Sequence, residues 1–381
     1  MRFTEFSGEW KEELLDRIAT LSKGIGIPKE QLSEDGDPCI LYGELYTKYK
    51  SEIIKQVESK TDIDGSKLKR SKANDVIIPC SGETAVDIAT ARCVPFDSIL
   101  LGGDLNVISL HKYDGAFMSY QLNGKRKYDI ARVAQGVSVV HLYGEHLKTI
   151  KTYNPTLPEQ QKIAILLSLL DERIATQNKI IEDLKKLKCA IIEKLYSKIQ
   201  GKEYSYGQLF DVVNERNKQM EYYNILSASQ EKGMVNRDDL NLDIQFERSN
   251  INTYKIVRKG DYVIHLRSFQ GGFASSDKLG VCSPAYTILR PNSLLEYSYL
   301  SYYFTSQRFI KSLIIVTYGI RDGRSINVEE WLNMKVVIPS KEHQLHTLNV
   351  LKRIDDKVEN EEKYATCLSN QKQYLLRQMF I

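Results

Sequence analysis

Residues 155–197 read PTLPEQQKIAILLSLLDERIATQNKIIEDLKKLKCAIIEKLYS, and residues 339–381 read PSKEHQLHTLNVLKRIDDKVENEEKYATCLSNQKQYLLRQMFI. The two stretches superimpose without a gap at an offset of 184. Pro155/Pro339, Gln160/Gln344, Leu167/Leu351, Asp171/Asp355, Lys179/Lys363, Leu184/Leu368 and Lys188/Lys372 are identical pairs. Apolar residues recur at spacings of three and four: Ile163, Leu167, Leu170, Ile174, Ile181, Leu184, Ile191 and Leu195 in the first stretch, and Leu351, Ile354, Val358, Ala365, Leu368, Leu375 and Met379 in the second. That is a heptad seam on a long helix. Polar residues interrupt it at equivalent places, Gln177/Glu361 and Lys188/Lys372, where a polar group costs stability and fixes register. No glycine occurs between Pro155 and Gln200, so the first helix has no interior weak point.

The first helix leaves one globular segment and delivers the chain to another, where the second helix begins. If the helices pair, they run antiparallel, as a rod of roughly 60 Å at about 1.5 Å per residue. The expected fold class is therefore α+β, with two mixed domains joined by two long antiparallel coiled-coil helices and a pseudo-two-fold internal repeat. The expected segments are 1–153 (first domain), 154–200 (first helix), 201–338 (second domain) and 339–381 (second helix).

The two globular segments share a plan. Each opens with a short amphipathic stretch, 14–18 and 209–213. Each has a strand after a polar turn, Asn74-Asp75-Val76-Ile77-Ile78 and Gly260-Asp261-Tyr262-Val263-Ile264, and then a Ser/Gly loop, 81–84 and 268–272. Runs 98–101, 137–142 and 286–289 read as strands, and 297–313 as a helix.

The 381 residues, 42% hydrophobic and 27% charged, are enough for two or three packed domains. The longest apolar-looking run, 163–170, is far short of a bilayer span. The start is polar, without the apolar core of a secretory signal. Six scattered cysteines without a CxxC fit reduced thiols in a cytoplasm. The formal net charge is only +4, with no strongly basic segment, so any nucleic-acid contact needs local clusters of cations or a partner's help.

Catalytic motifs are missing. There is no GxGxxG or GxxxxGK[ST]. Asn154-Pro155-Thr156-Leu157 is close to the Asn-Pro-Pro-aromatic motif of amino-methylating DNA methyltransferases, but its third and fourth positions are wrong. His343 and His346 form an HxxH without a third ligand or catalytic Glu. Asp171 and Asp355 read as helix-face structure or partner contacts.

These residues together resemble a family. LPEQQKIA…LDERI at 157–174, its partner at 339–358, KGIGIPKEQL at 23–32, ILYGELYTKY at 40–49, NDVIIPCSGETAVDIA at 74–89, ILLGGDLNVI at 99–108, AQGVSVVHLY at 134–143 and GDYVIHLRSFQGGF at 260–273 are similar to the specificity subunit of type I restriction–modification systems. The second helix departs from the pattern, with Glu342-His343-Gln344 where the first has Pro158-Glu159-Gln160. The resemblance implies two target-recognition domains, each reading half of a bipartite site on double-stranded DNA. It implies two methyltransferase subunits docked on the chain, restriction/translocase subunits joining them, no membrane, no cofactor held by this chain, and no catalysis of its own.

Base-edge contacts specify sequence and phosphate contacts position the protein. The candidate DNA-binding residues are Ser81, Glu83, Lys125, Arg126, Lys127, Gln135 and His141 in the first domain. In the second they are Arg267, Ser268, Gln270, Tyr318, Arg321 and Arg324. A self-contained methyltransferase or nuclease, or a purely structural coiled-coil adaptor, stays open at this point.

Overall fold

The computed structural model describes residues 2–136, 138–229, 232–240, 248–265, 272–318 and 325–380. The two long helices are Leu157–Ser197 and Lys341–Gln378. The chain divides into two compact units, Met1–Lys179 with Glu362–Ile381, and Ile180–Glu361. Each unit thus takes in half of each long helix together with one globular segment.

In the first unit, strand Lys11–Leu14 pairs antiparallel with Lys151–Asn154, which runs into the first long helix. A four-stranded sheet follows in the order Ala19–Lys23, Leu105–Leu110, Asp75–Pro79, Arg92–Val94. Its central strand Asp75–Pro79 is wholly buried, which explains its continuous apolar run. A smaller sheet joins Leu32–Ser33, Lys60–Thr61, Asp37–Ile40 and Leu100–Leu101. The second unit repeats the larger plan. Strand Lys202–Ser205 pairs with Lys335–Ile338, and a four-stranded sheet runs Phe210–Val213, Thr287–Pro291, Tyr262–Ile264, Phe273–Ser275.

The polar turns before the central strands repeat atom by atom. Asn74 and Gly260 both have positive φ, 80° and 97°. The Asp that follows accepts from a backbone N–H three residues upstream: Lys72 N to Asp75 Oδ2 at 2.8 Å, and Arg258 N to Asp261 Oδ2 at 2.9 Å. The stretch 297–313, read as one helix, is two, Tyr299–Tyr303 and Gln307–Ser312. Ser306 breaks it, because its hydroxyl accepts from Phe309 N and caps the second helix. Of the two amphipathic openings, Leu15–Ile18 is a helical turn and Phe210–Val213 a strand.

Within each unit the long helices run antiparallel. In the first, Ile163 and Leu167 are buried with Leu376, Met379 and Phe380, Leu368 is also buried, and Leu170, Ile174, Ala365 and Leu375 are half-buried. In the second, Leu351 and Val358 are buried, and Ile181, Leu184, Ile191, Leu195 and Ile354 are half-buried.

The polar seam positions carry specific pairs. Lys372 Nζ lies 2.5 Å from Asp171 Oδ1, and Asp171 Oδ2 accepts from Tyr120 Oη at 2.7 Å. In the second unit Lys188 pairs with Asp355, whose Oδ2 accepts from Tyr302 Oη at 2.6 Å. The ammonium groups stand 5.8 Å and 5.3 Å from the centres of those tyrosine rings. The shared Asp and Lys of the repeat therefore form one trio in each unit.

The other shared polar residue behaves the same way. Gln160 Nε2 donates to Pro155 O at 2.8 Å, and its Oε1 accepts from Asp114 N at 2.9 Å. Gln344 Nε2 donates to Pro339 O at 3.1 Å, and its Oε1 accepts from Glu296 N at 2.7 Å. Each glutamine locks its helix start to the adjoining domain.

Candidate nucleic-acid interface

After the buried strand Asp75–Pro79 the first unit turns outward. Ser81–Gly82 pairs antiparallel with Val140–His141. Gln135 and His141 exchange two backbone hydrogen bonds, N–H to O at 2.9 Å and 2.7 Å. Leu142 N donates to Cys80 O at 2.8 Å, and Asn106 Nδ2 to Leu142 O at 2.9 Å, fixing the short ladder to the sheet. Thr84 caps the turn Ala85–Ile88 by accepting from Asp87 N. Ser81, Glu83, Gln135 and His141, separated by up to sixty residues in the chain, thereby share one surface. Glu83, Gln135 and His141 are exposed, and Ser81 is half-buried.

The sequence reading missed three neighbours of this surface. Tyr143 is 44% exposed and stacks on His141 at 6.0 Å and 16°. Lys23 Nζ sits 5.3 Å from the Tyr143 ring centre, a cation–π geometry. Tyr46 Oη donates to Ser81 O at 3.1 Å. The alternating pattern His141-Leu142-Tyr143, with every second residue on one face, is the available signal. Beside the ladder lies a cleft of about 740 Å³ lined by Tyr42, Tyr46, Ser81, Glu83, Asp87 and Arg92 among others. Arg92 is committed to the fold: its guanidinium donates to Tyr49 O at 3.0 Å and 3.1 Å.

The basic run Lys125-Arg126-Lys127 is not the open loop it resembled. It is the tight turn between helices Gly115–Asn123 and Lys127–Val133. The Arg126 guanidinium lies 5.2 Å over the Tyr153 ring and pairs with Asp129 at 3.2 Å. Lys127 is half-buried, and burial lowers its ammonium below the ordinary lysine range. Of the three, only Lys125 is exposed.

In the second unit, Tyr318 lies in the strand Thr317–Tyr318, paired with Ser325–Ile326. Arg267, Ser268, Gln270, Arg321 and Arg324 lie outside the described residues. Among the described residues no group of His, Cys, Asp and Glu could hold a metal ion, and no helix is long and apolar enough to cross a membrane. His343 and His346 are both exposed on the second helix.

Surface ladders of Ser, Gln, His, Tyr and Lys side chains on a rigid sheet suit hydrogen bonding and stacking rather than bond breaking. The model of the type I restriction modification DNA specificity domain matches residues 8–186. The specificity subunit of the type I restriction enzyme MjaVIII from Methanocaldococcus jannaschii is 25% identical over 324 residues, 76% of this chain and 74% of the relative. Residues 8–186 thus carry the DNA specificity domain of type I restriction–modification systems, and the chain is similar to their specificity subunits. Two solved structures share the specificity-subunit fold over nearly the whole chain. One is the S subunit of a type I system from M. genitalium, with a TM-score of 0.58, 17% identity, and coverage of 100% of this chain and 99% of that one. The other is a chain from a structure on complex assembly and conformational transition of a type I system, with a TM-score of 0.62, 14% identity, and coverage of 98% and 97%.

The LPEQQ stretch at 157–161 has a physical reading here. Glu159 is fully buried and takes a bidentate pair from Arg2, at 2.7 Å and 2.8 Å. Trp10 Nε1 donates to it at 3.4 Å. The segment 2–10 is thus strapped to the first long helix. The equivalent position in the second helix is His343, which is exposed.

Proposed function

We propose that this specificity subunit reads a bipartite target on double-stranded DNA, one half per globular segment. The observation that carries this is the repeat itself. The same sheet, turn, helix lock and Asp–Lys–Tyr trio occur twice in one chain, so the chain offers two copies of one recognition platform. In the first unit the reading surface is the ladder of Ser81, Gln135 and His141, with Glu83, Tyr143 and Lys23 around it. Glu83 suits a cytosine amino group, Gln135 an adenine edge, and Lys23 and Lys125 the phosphates. In the second unit Arg267, Ser268, Gln270, Tyr318, Arg321 and Arg324 are the proposed counterparts.

The subunit docks two methyltransferase subunits, and restriction/translocase subunits join that assembly in the cytoplasm. Ile165 and Leu169, four residues apart and 59% and 58% exposed on the outer face of the first helix, support such docking, since adjacent exposed apolar side chains on one helix face mark partner surfaces. Methyl transfer belongs to the partner, and specificity subunits are the non-catalytic component.

The test is co-expression with the methyltransferase, followed by methylome sequencing and band-shift assays. A single bipartite methylated motif is expected, and replacement of residues 1–150 by those of another specificity subunit should change one half of it. Methyl transfer by the purified chain with DNA and methyl donor alone would sink this reading.

A further inference from the structure

The two trios are alike in bonding and unlike in cover. In the first unit the stretch Ser51–Lys55 lies across the trio. Ser51 Oγ donates to Asp171 Oδ2 at 2.9 Å, and the Glu52 carboxylate takes Lys372 at 2.5 Å. Lys55 reaches Ser168 and Glu172, each at 2.9 Å. The backbone of the stretch is pinned to the sheet's edge strand Arg92–Val94: Cys93 N donates to Glu52 O at 2.8 Å, and Ile54 N to Cys93 O at 3.0 Å. The side chains of Lys372 and Asp171 are left 13% and 6% exposed.

In the second unit the side chains of Lys188 and Asp355 are 27% and 36% exposed. They line an open cleft of about 900 Å³, together with Tyr302, Lys352 and the edge strand Phe273–Ser275. That edge is the counterpart of Arg92–Val94 by its register with the central strand. Lys188 holds one carboxylate among the described residues, where Lys372 holds two. Asp355 Oδ2 accepts one hydroxyl, where Asp171 Oδ2 accepts two.

We propose that this cleft is a docking groove for an extended peptide segment of a partner protein, one with adjacent hydroxyl and carboxylate side chains that bind Asp355 and Lys188 as Ser51 and Glu52 bind Asp171 and Lys372. The chain carries its own template for the occupant: Ser51-Glu52 set on an edge strand. The cleft is lined by both signs, Lys188, Lys232 and Lys352 with Asp277, Glu296, Asp355 and Glu359, and the Lys188 ammonium, reachable from it, is the group placed to take the carboxylate as Lys372 takes Glu52. The proposal does not depend on the DNA reading.

The probe is a labelled synthetic peptide of residues 48–58, KYKSEIIKQVE, titrated against the full chain by fluorescence anisotropy. Saturable binding is expected. A peptide with Gln at the Glu52 position should bind about tenfold more weakly, the loss of one charge-assisted hydrogen bond. Lys188→Met in the chain should remove the difference between the two peptides. Asn349→Trp, on an exposed helix position lining the cleft, should abolish binding while leaving the fold intact. Absence of saturable binding, equal binding of the Glu and Gln peptides, or full binding to the Asn349→Trp chain would each overturn the proposal.

Discussion

Lys372→Met tests the seam most directly. Met keeps much of the side-chain stem, so packing is largely preserved and the charge is removed. In the first unit the ammonium sits between two carboxylates, and the three side chains of Lys372, Glu52 and Asp171 are 13%, 10% and 6% exposed. Removing one partner of a buried ion pair typically costs about 3–5 kcal/mol, because the remaining charges stay desolvated. Lys188→Met removes the same partner in the second unit, where the pair is 27% and 36% exposed. Water screens that pair, so its loss should cost no more than about 1 kcal/mol.

The chain has two tryptophans, one per unit. Trp10 packs on Phe117 and Phe380, and Trp331 is buried against Tyr206. A Trp331→Phe background therefore reports on the first unit alone, and Trp10→Phe on the second. In urea, a 3 kcal/mol loss should move the Trp10 transition by about 1 M or more. The pH dependence follows from Glu52, whose carboxyl burial pushes above the usual carboxylate range against the pull of Lys372. A raised carboxyl gives stability that is present below the unfolded value and lost as pH rises through the folded one. Lys372→Met raises it further, so the variant's deficit should be larger at pH 8 than at pH 5, and Glu52→Gln should relieve most of it. Equal costs in the two units, or a deficit indifferent to pH and to Glu52→Gln, would refute the reasoning.

Arg2→Ala leaves the fully buried Glu159 without its bidentate partner and should destabilise the first unit, seen as a red shift of Trp10 emission at neutral pH. Leu167→Ala, at a fully buried seam position, should cost about 2–5 kcal/mol in the first unit, read by the same Trp10 transition. His141→Ala and Tyr143→Ala should weaken methylation through one half-site only, while Arg126→Ala should act on thermal stability rather than on sequence preference; methylome sequencing and melting curves separate the two.

The seam was legible because a heptad period places every third and fourth side chain on one line, whatever the residue between. The identities at offset 184 also exposed the Asp and Lys of each trio. The tyrosines stayed hidden. Tyr120 and Tyr302 are 182 apart, since the segments that carry them differ in length, and an aromatic in a short helix signals only burial. Glu52 was hidden for a related reason: it belongs to the first unit alone, so no repeat marks it. The basic run at 125–127 shows its charge density in the sequence more plainly than its local capping. Gly124 stops one helix, Lys127 starts the next, and Asp129 stands three residues from Arg126 to take its charge. Gln135 and His141 flank one stretch and Ser81 belongs to another, and only the two-residue ladder joins the two. Pairing over so short a length leaves no periodic trace in a sequence.

The departures from symmetry follow from the order of the elements along the chain. In the second unit, strand Lys202–Ser205 is joined covalently to the long helix ending at Ser197. Its counterpart Lys11–Leu14 has no such connection to the helix that ends at Gln378. Non-covalent contacts supply there what continuity supplies in the second unit, against the entropy of ordering residues 2–10. Arg2 on Glu159, Lys162 on Glu5, and Trp10 stacked edge-on with Phe117 and Phe380 do this. Glu159 is buried because it has this task, and His343, at the equivalent position with no strap to hold, faces solvent. The difference between the two helices at this position, Glu159 against His343, thus falls where the demand for a buried carboxylate disappears.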